Sequence, residues 1–169
     1  TASVMTLMME DVIETGTADT VKFGKKTGID VAGKTGTAGD SYDRWFVGYT
    51  PYYICGLWYG YDYPRTLKGD NPCLSLFDTI MIEAHQDVLA EVNTGRKDLR
   101  KFDISDNLVQ CTFCVDSGKL LSEACSHDPR GNRSDTGYFI KGTEPTEYCD
   151  THVLVNYDAV TKGIACDFC

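Results

Sequence analysis

Val31-Ala32-Gly33-Lys34-Thr35-Gly36-Thr37 gathers an ammonium, two hydroxyls and two glycines in one short run. Such a set suits an anion: lysine brings charge, the hydroxyls bring hydrogen bonds, and glycine lets the backbone come close to a ligand. Gly28-Ile29-Asp30-Val31-Ala32-Gly33-Lys34-Thr35 also fits the phosphate-loop pattern G-x-x-x-x-G-K-[ST] letter for letter. A phosphate loop follows a buried strand and opens a helix whose amino end cradles the phosphates. Here Phe23-Gly24-Lys25-Lys26-Thr27 precedes the run, and Gly36 and Gly39 oppose a helix after it. The run therefore reads as a strand-borne anion site in preference to a nucleotide loop. Taken alone, Lys34 could equally be a solvated lysine guarding an edge strand.

A second chemical cluster is the cysteines. Of eight, Cys55 and Cys73 lie in the first half and read as ordinary buried or half-buried thiols. Cys111, Cys114, Cys125, Cys149, Cys166 and Cys169 crowd the last third, the mark of a small region that needs staples. Cys111-x-x-Cys114 and Cys166-x-x-Cys169 form two pairs, and Cys125-x-His127 and Cys149-x-x-His152 add ligand-type side chains. A zinc ribbon spaces its pairs by about 15–20 residues. The gap here is far longer, so disulfides, zinc and free thiols all stay open.

The elements that must position these residues follow from periodicity. Ser3 to Thr15 carries Val4, Leu7, Met8 and Val12 at helical spacing, with Gly16 as a stop, and Thr17 to Gly28 reads as a loop. Val31 to Thr37, Arg44 to Thr50 and Tyr53 to Tyr59 read as strands joined by short turns, hence an antiparallel meander. Asn71-Pro72 predicts a helix start, with Leu74, Phe77, Ile80, Met81, Ala84 and Val88 on one face as far as about Asn93 and His85 on the polar side. Trp45, Phe46, Tyr49 and Trp58 read as packing residues, Arg44 as a surface charge. Helices against an antiparallel sheet define an α+β class, with both helices expected on one face. Residues 1–95 form the first domain in this reading, 96–107 a charged linker, and 108–169 a cysteine-rich extension with strands at Leu108 to Val115 and Val153 to Tyr157. The helical opening with almost no lead-in suggests the later part of a longer protein.

Composition narrows the partners. The net charge of −9 is spread along the chain, against a nucleic-acid or anionic-membrane partner. No run of about 18 apolar residues is present. The start lacks a basic segment followed by an apolar one, so any membrane tether is expected outside this chain.

Lys34-Thr35-Gly36 is also the K-T-G of the penicillin-recognising serine enzymes, a motif that sits on a strand beside the active site. With Trp45-Phe46-Val47-Gly48-Tyr49-Thr50-Pro51, Gly56 to Asp62 and Gly142 to Cys149, the chain resembles the C-terminal part of a class A penicillin-binding protein of Gram-positive type. The resemblance implies part of the penicillin-binding and serine β-lactamase-like fold, and acyl transfer from a peptidoglycan stem peptide, with β-lactams as alternative ligands. Lys34 would supply charge, Thr35 and Thr37 would bind the donor carboxylate, and Thr37 N–H would be an oxyanion donor. Gly36 would let the substrate lie on the strand. It implies no cofactor and no metal ligand, an extracytoplasmic location, and disulfides among the late cysteines.

The nucleophile's S-x-x-K is absent from the chain, and Ser105-Asp106-Asn107 lies on the wrong side of K-T-G to be the family's S-x-N. It reads as a turn cap. The chain alone is thus expected to be inactive. An N-terminal remainder or a second copy would complete the site and cover apolar surface. The competing reading is a non-catalytic cell-wall binding module centred on Leu108 to Cys169.

Overall fold

The computed structural model describes residues 1–95, 99–158, 160–161 and 163–165. The chain divides into two units, Thr1–Ile104 and Ser105–Cys169.

In the first unit, helix α1 (Ala2–Glu14) ends where Gly16 N–H bonds back to the Asp11 carbonyl. A Cβ at Gly16 would sit 2.7 Å from Val12 Cα, so the stop requires glycine. The expected loop after it contains a short helix, α2 (Phe23–Thr27), closed by Gly28 in the left-handed region at φ 73°. Its amino end is held from a distance: the buried Asp78 carboxylate accepts from Lys22 N–H at 2.9 Å and Phe23 N–H at 2.8 Å. Strands β1 (Ala32–Thr37), β2 (Asp43–Tyr49) and β3 (Ile54–Gly60) form an antiparallel sheet in that order. Helix α3 (Pro72–Ala84), capped by the Asn71 side chain, packs across β2 and β3, while α1 packs along β1.

Alternation divides the sheet into two faces. Phe46 is fully buried on one, in edge-on contact with Phe77 of α3 at 5.0 Å. Trp45, Val47 and Trp58 stand on the other and remain exposed, with Trp45 directly opposite Trp58 in register. Tyr49 belongs to this second face, and its hydroxyl meets that of Thr6 at 3.0 Å, so α1 is not simply a neighbour of α3 on the Phe46 face.

The long second helix breaks at His85, where α3 gives way to α4 (Gln86–Asn93). The break overturns the surface assignment of His85, which is fully buried. Its Nδ1 lies 2.7 Å from the Met81 carbonyl and must carry the proton. Its Nε2, 2.9 Å from Thr50 Oγ1, therefore accepts from that hydroxyl. Thr50 Oγ1 in turn accepts from Tyr52 and Tyr53 N–H. Phe23, Tyr52 and Tyr53 ring the imidazole. A helix-wheel residue on the polar side is thus drawn inward because every polar atom finds a partner.

Of the expected linker, residues 96–98 lie outside the described residues. Arg100 to Phe102 adds to the first unit: the Arg100 carbonyl accepts from Asp30 N–H at 2.7 Å, and Lys101 pairs with the Asp30 carboxylate at 2.6 Å. In the second unit, β4 (Leu108–Cys114) pairs antiparallel with β5 (Ser134–Ile140), a strand the periodicity missed. The strand expected at Val153 to Tyr157 is instead irregular, with Tyr157 in one isolated bridge to Ile164.

Candidate functional site on the free edge of the first strand

Among the described residues β1 pairs with no strand other than β2, so one of its edges has no strand partner. Which groups face that edge follows from the ladder. In an antiparallel pair, opposed residues alternate between exchanging hydrogen bonds and pointing their N–H and C=O away. Ala38 N–H bonds to the Asp43 carbonyl at 3.3 Å, one step beyond the Thr37 and Arg44 pair. Gly36, Lys34 and Ala32 therefore share the bonded phase with β2, and Gly33, Thr35 and Thr37 direct their backbone polar groups to the open edge. The β2–β3 turn agrees: Thr50 N–H bonds to the Tyr53 carbonyl, which assigns the even positions of β2 to β3 and leaves Trp45, Val47 and Tyr49 for β1.

The side chains of the run separate in the same way. Lys34 and Gly36 project from the face of Val47 and Trp45, and Thr35 and Thr37 from the face of Phe46 and Arg44. Lys34 is exposed, and its ammonium curls to the Thr35 carbonyl at 2.9 Å, one of the edge groups. Thr35 is half-buried with its hydroxyl 2.7 Å from that of Thr17, and Thr37 is exposed. Gly36 lies flat against Trp45, whose Cβ would be 3.1 Å from an added methyl. The strand thus carries the Lys34 ammonium on one face and the Thr35 and Thr37 hydroxyls on the other, with two outward N–H groups on the edge between them, groups of the kind that receive a carboxylate or a developing oxyanion.

The phosphate-loop geometry is not formed. Gly28 closes α2, Lys34 lies within a strand, and a turn follows it. Ser105-Asp106-Asn107 falls in the second unit as a turn, with Asn107 N–H donating to Ser105 Oγ at 3.2 Å.

The late cysteines are arranged otherwise than expected. The six described cysteines are all free thiols, with no disulfide among the described residues, and Cys166 and Cys169 lie outside these. Cys111 and Cys114 point to opposite faces because both belong to β4 and are three positions apart. Cys114 instead meets Cys125 and Cys149 beside His152, all four ligand atoms within 4.8 Å of one another. Hydrogen bonding to Ser117, and then to His152, draws the Cys149 thiol down to about 5 against the effect of burial. Only the Cys149-x-x-His152 spacing signalled this cluster in the sequence. His127 is not part of it and bonds to Ser126 and the Glu123 carbonyl.

Residues 1–54 match the family model for the penicillin-binding protein transpeptidase domain, and residues 104–154 match that for the penicillin-binding protein 1A C-terminal domain. Penicillin-binding protein 1A of Clostridium perfringens strain ATCC 13124 is 35% identical over 154 residues, covering 90% of this chain and 17% of the relative. That of Clostridium botulinum strain Langeland is 35% identical over 164 residues, covering 96% and 18%. That of Pseudomonas aeruginosa PAO1 is 49% identical over 67 residues, covering 40% and 8%. The crystal structure of penicillin-binding protein 1A from Haemophilus influenzae superposes with a TM-score of 0.55 at 25% identity, covering 83% of this chain and 20% of that one.

With an antiparallel sheet flanked by helices, these matches give the chain the α+β penicillin-binding and β-lactamase-like fold. More particularly, the chain is penicillin-binding-protein-1A-like, its first part similar to the transpeptidase domain and its later part to the 1A-type C-terminal domain. The relatives include Gram-negative as well as Gram-positive bacteria, which removes the Gram-positive restriction. The chain spans less than a fifth of the length of the Clostridium relatives. Among the described residues, no helix is long and apolar enough to cross a membrane.

Proposed function

We propose that this chain forms the K-T-G wall of a serine D,D-transpeptidase that cross-links peptidoglycan outside the cytoplasmic membrane. The nucleophile and its lysine come from residues of the longer polypeptide outside this chain. A serine there attacks the D-alanyl-D-alanine carbonyl of a stem peptide, or the β-lactam ring, and Thr37 N–H receives the oxyanion. Lys34 supplies positive charge to the site and to the donor carboxylate. The Thr35 and Thr37 hydroxyls bind that carboxylate, and Gly36 lets the substrate backbone lie on the strand. No nucleic acid and no cofactor enters this reaction, and the membrane tether belongs to another part of the polypeptide.

The observation that carries this reading is the phase of β1, which turns Thr37 N–H away from β2 and out to the open edge. The test uses the longer polypeptide and a fluorescent penicillin. Thr37→Pro deletes an N–H that the ladder does not use, and proline is tolerated on an edge strand. Acylation should fall by about 10²–10³-fold, the cost of losing one oxyanion donor, with the fold retained. Lys34→Ala should lower it by at least about 10²-fold by removing charge that acts in the transition state. Labelling of Thr37→Pro at the parental rate would sink the reading.

A further inference from the structure

The second unit has an unusual interior. Its buried cluster among the described residues consists of Cys114, Cys125 and Cys149, with Leu121 packed against them. Val153, Leu154, Val155 and Ile164 are exposed. A region of this size with a two-stranded sheet and so little buried hydrocarbon needs another source of cohesion.

We propose that Cys114, Cys125, Cys149 and His152 bind one zinc ion in a closed, tetrahedral, structural site. His152 Nδ1 lies 3.5 Å from Cys114 Sγ, 3.5 Å from Cys125 Sγ and 3.3 Å from Cys149 Sγ. One ring nitrogen carries at most one proton and cannot hydrogen-bond three thiols at once. Zinc bonds of about 2.3 Å to sulfur and about 2.0–2.1 Å to nitrogen put tetrahedral nitrogen and sulfur ligands about 3.5 Å apart. The near-equal separations are therefore those of a coordination shell. Three thiolates and an imidazole select zinc over hard cations such as magnesium and calcium.

The surroundings orient the imidazole for this task. His152 Nε2 lies 3.1 Å from Asp116 Oδ2 and 3.1 Å from Asp128 Oδ2, so it carries the proton and donates to a carboxylate. That leaves Nδ1 unprotonated and aimed at the sulfurs, the carboxylate–histidine arrangement that supports zinc ligands. Arg133 fixes Asp116 at 2.9 Å, and Arg130 fixes Asp128 at 2.7 Å. The backbone presents the sulfurs from three segments. Gly118 N–H closes a turn onto the Cys114 carbonyl, Cys125 lies in the helical turn Glu123–His127, and Cys149 N–H bonds to the Leu120 carbonyl. With four protein ligands there is no open position for substrate, so the ion holds these segments together and does no chemistry.

The whole 169-residue chain, purified without chelator, tests this by elemental analysis and by mass after thiol alkylation. About one zinc per chain is expected, with three thiols protected until a chelator is added. Cobalt(II) in its place should give the intense visible bands of a tetrahedral thiolate complex. Cys149→Ser should lose the metal. His152→Cys should keep it with a shifted cobalt spectrum, which guards against a variant that merely fails to fold. Cys111→Ser, on the opposite strand face, should keep it unchanged. Recovery of a disulfide between any two of Cys114, Cys125 and Cys149 would overturn the proposal. So would a metal-free chain with all thiols reactive, or zinc lost on Cys166→Ser and Cys169→Ser but kept in Cys149→Ser.

Discussion

Asp78 carries a prediction that connects the interior to the K-T-G strand. Its carboxylate, on α3, accepts from Lys22 N–H at 3.0 and 2.9 Å through its two oxygens, and from Phe23 N–H at 2.8 Å. These donors open α2, and the segment that follows, through the buried Ile29 and Val31, leads directly into β1. Asp78→Ala removes a charged acceptor from two N–H groups, each such bond being worth about 1.5–3 kcal/mol, so a loss of roughly 4 kcal/mol is expected. Asp78→Asn keeps one acceptor oxygen and should cost about 1–2 kcal/mol. Both tryptophans, Trp45 and Trp58, lie in the β2–β3 hairpin, so intrinsic fluorescence during urea denaturation reports the first unit alone. The midpoint should move at constant slope in the order parent, Asn, Ala. A loss below about 0.5 kcal/mol for Asp78→Ala, the range of ordinary surface changes, would refute the claim that this carboxylate anchors the approach to β1.

Two pH effects of opposite sign should appear in the same unfolding experiment. Burial, with Asp30 and then Glu14 nearby, raises Glu10 from 4.5 to about 7. The folded state then holds this proton more tightly than the unfolded state, so the group's contribution falls as pH rises from about 4.5 through about 7. At about 1.4 kcal/mol per pH unit the ceiling is near 3 kcal/mol, and its contact with water reduces this to about 1–2 kcal/mol. Glu10→Gln should therefore stabilise the first unit at pH 8 and not at pH 4, and an equal gain at both would contradict the assignment. Burial lowers His85 below its usual 6.5 despite the Met81 carbonyl. The unfolded chain takes up that proton first, so stability is complete above about 6.5 and declines as pH falls towards the folded value. Measured in the Glu10→Gln background, the acid-side decline should shrink in His85→Gln, and an unchanged slope would remove His85 from the account.

How much of this was legible in the sequence depends on how local each signal is. The apolar spacing of α1 and α3, the aromatic strands and the Asn71 cap are short-range signals: α1, those strands and the start of α3 formed within a residue or two of their predicted bounds, whereas α3 ends at Ala84 and not near Asn93. The short helix α2 was hidden because its amino end is satisfied by Asp78, fifty-odd positions away. His85 was misplaced because one continuous helix was assumed, and the break after Ala84 turns its ring to partners from the β2–β3 turn. Strand β5 carries Ser134, Asp135, Thr136 and Gly137 and lacks an apolar stripe. The thiol cluster draws on three separated segments, whereas the conspicuous Cys111-x-x-Cys114 pair is split by the pleat of β4. Tertiary pairing decides each of these cases.

The K-T-G run shows why letters alone underdetermine a site. The sequence lists Lys34, Thr35, Gly36 and Thr37 as neighbours, but a strand assigns alternate residues to opposite faces and alternate N–H groups to opposite edges. A slip of one position would turn the N–H groups of Lys34 and Gly36 outward and bury that of Thr37 in the ladder. Close packing fixes the phase. A Cβ at Gly33 would lie 2.8 Å from Phe46 Cζ, and one at Gly48, its register partner, 2.7 Å from Phe77 Cε2. Only a glycine pair at that point allows Phe46 and Phe77 to meet edge-on over the sheet. The aromatic core beneath the strand and the outward N–H of Thr37 at its rim are thus set by the same register, so the first unit's own packing fixes which groups the edge of β1 presents.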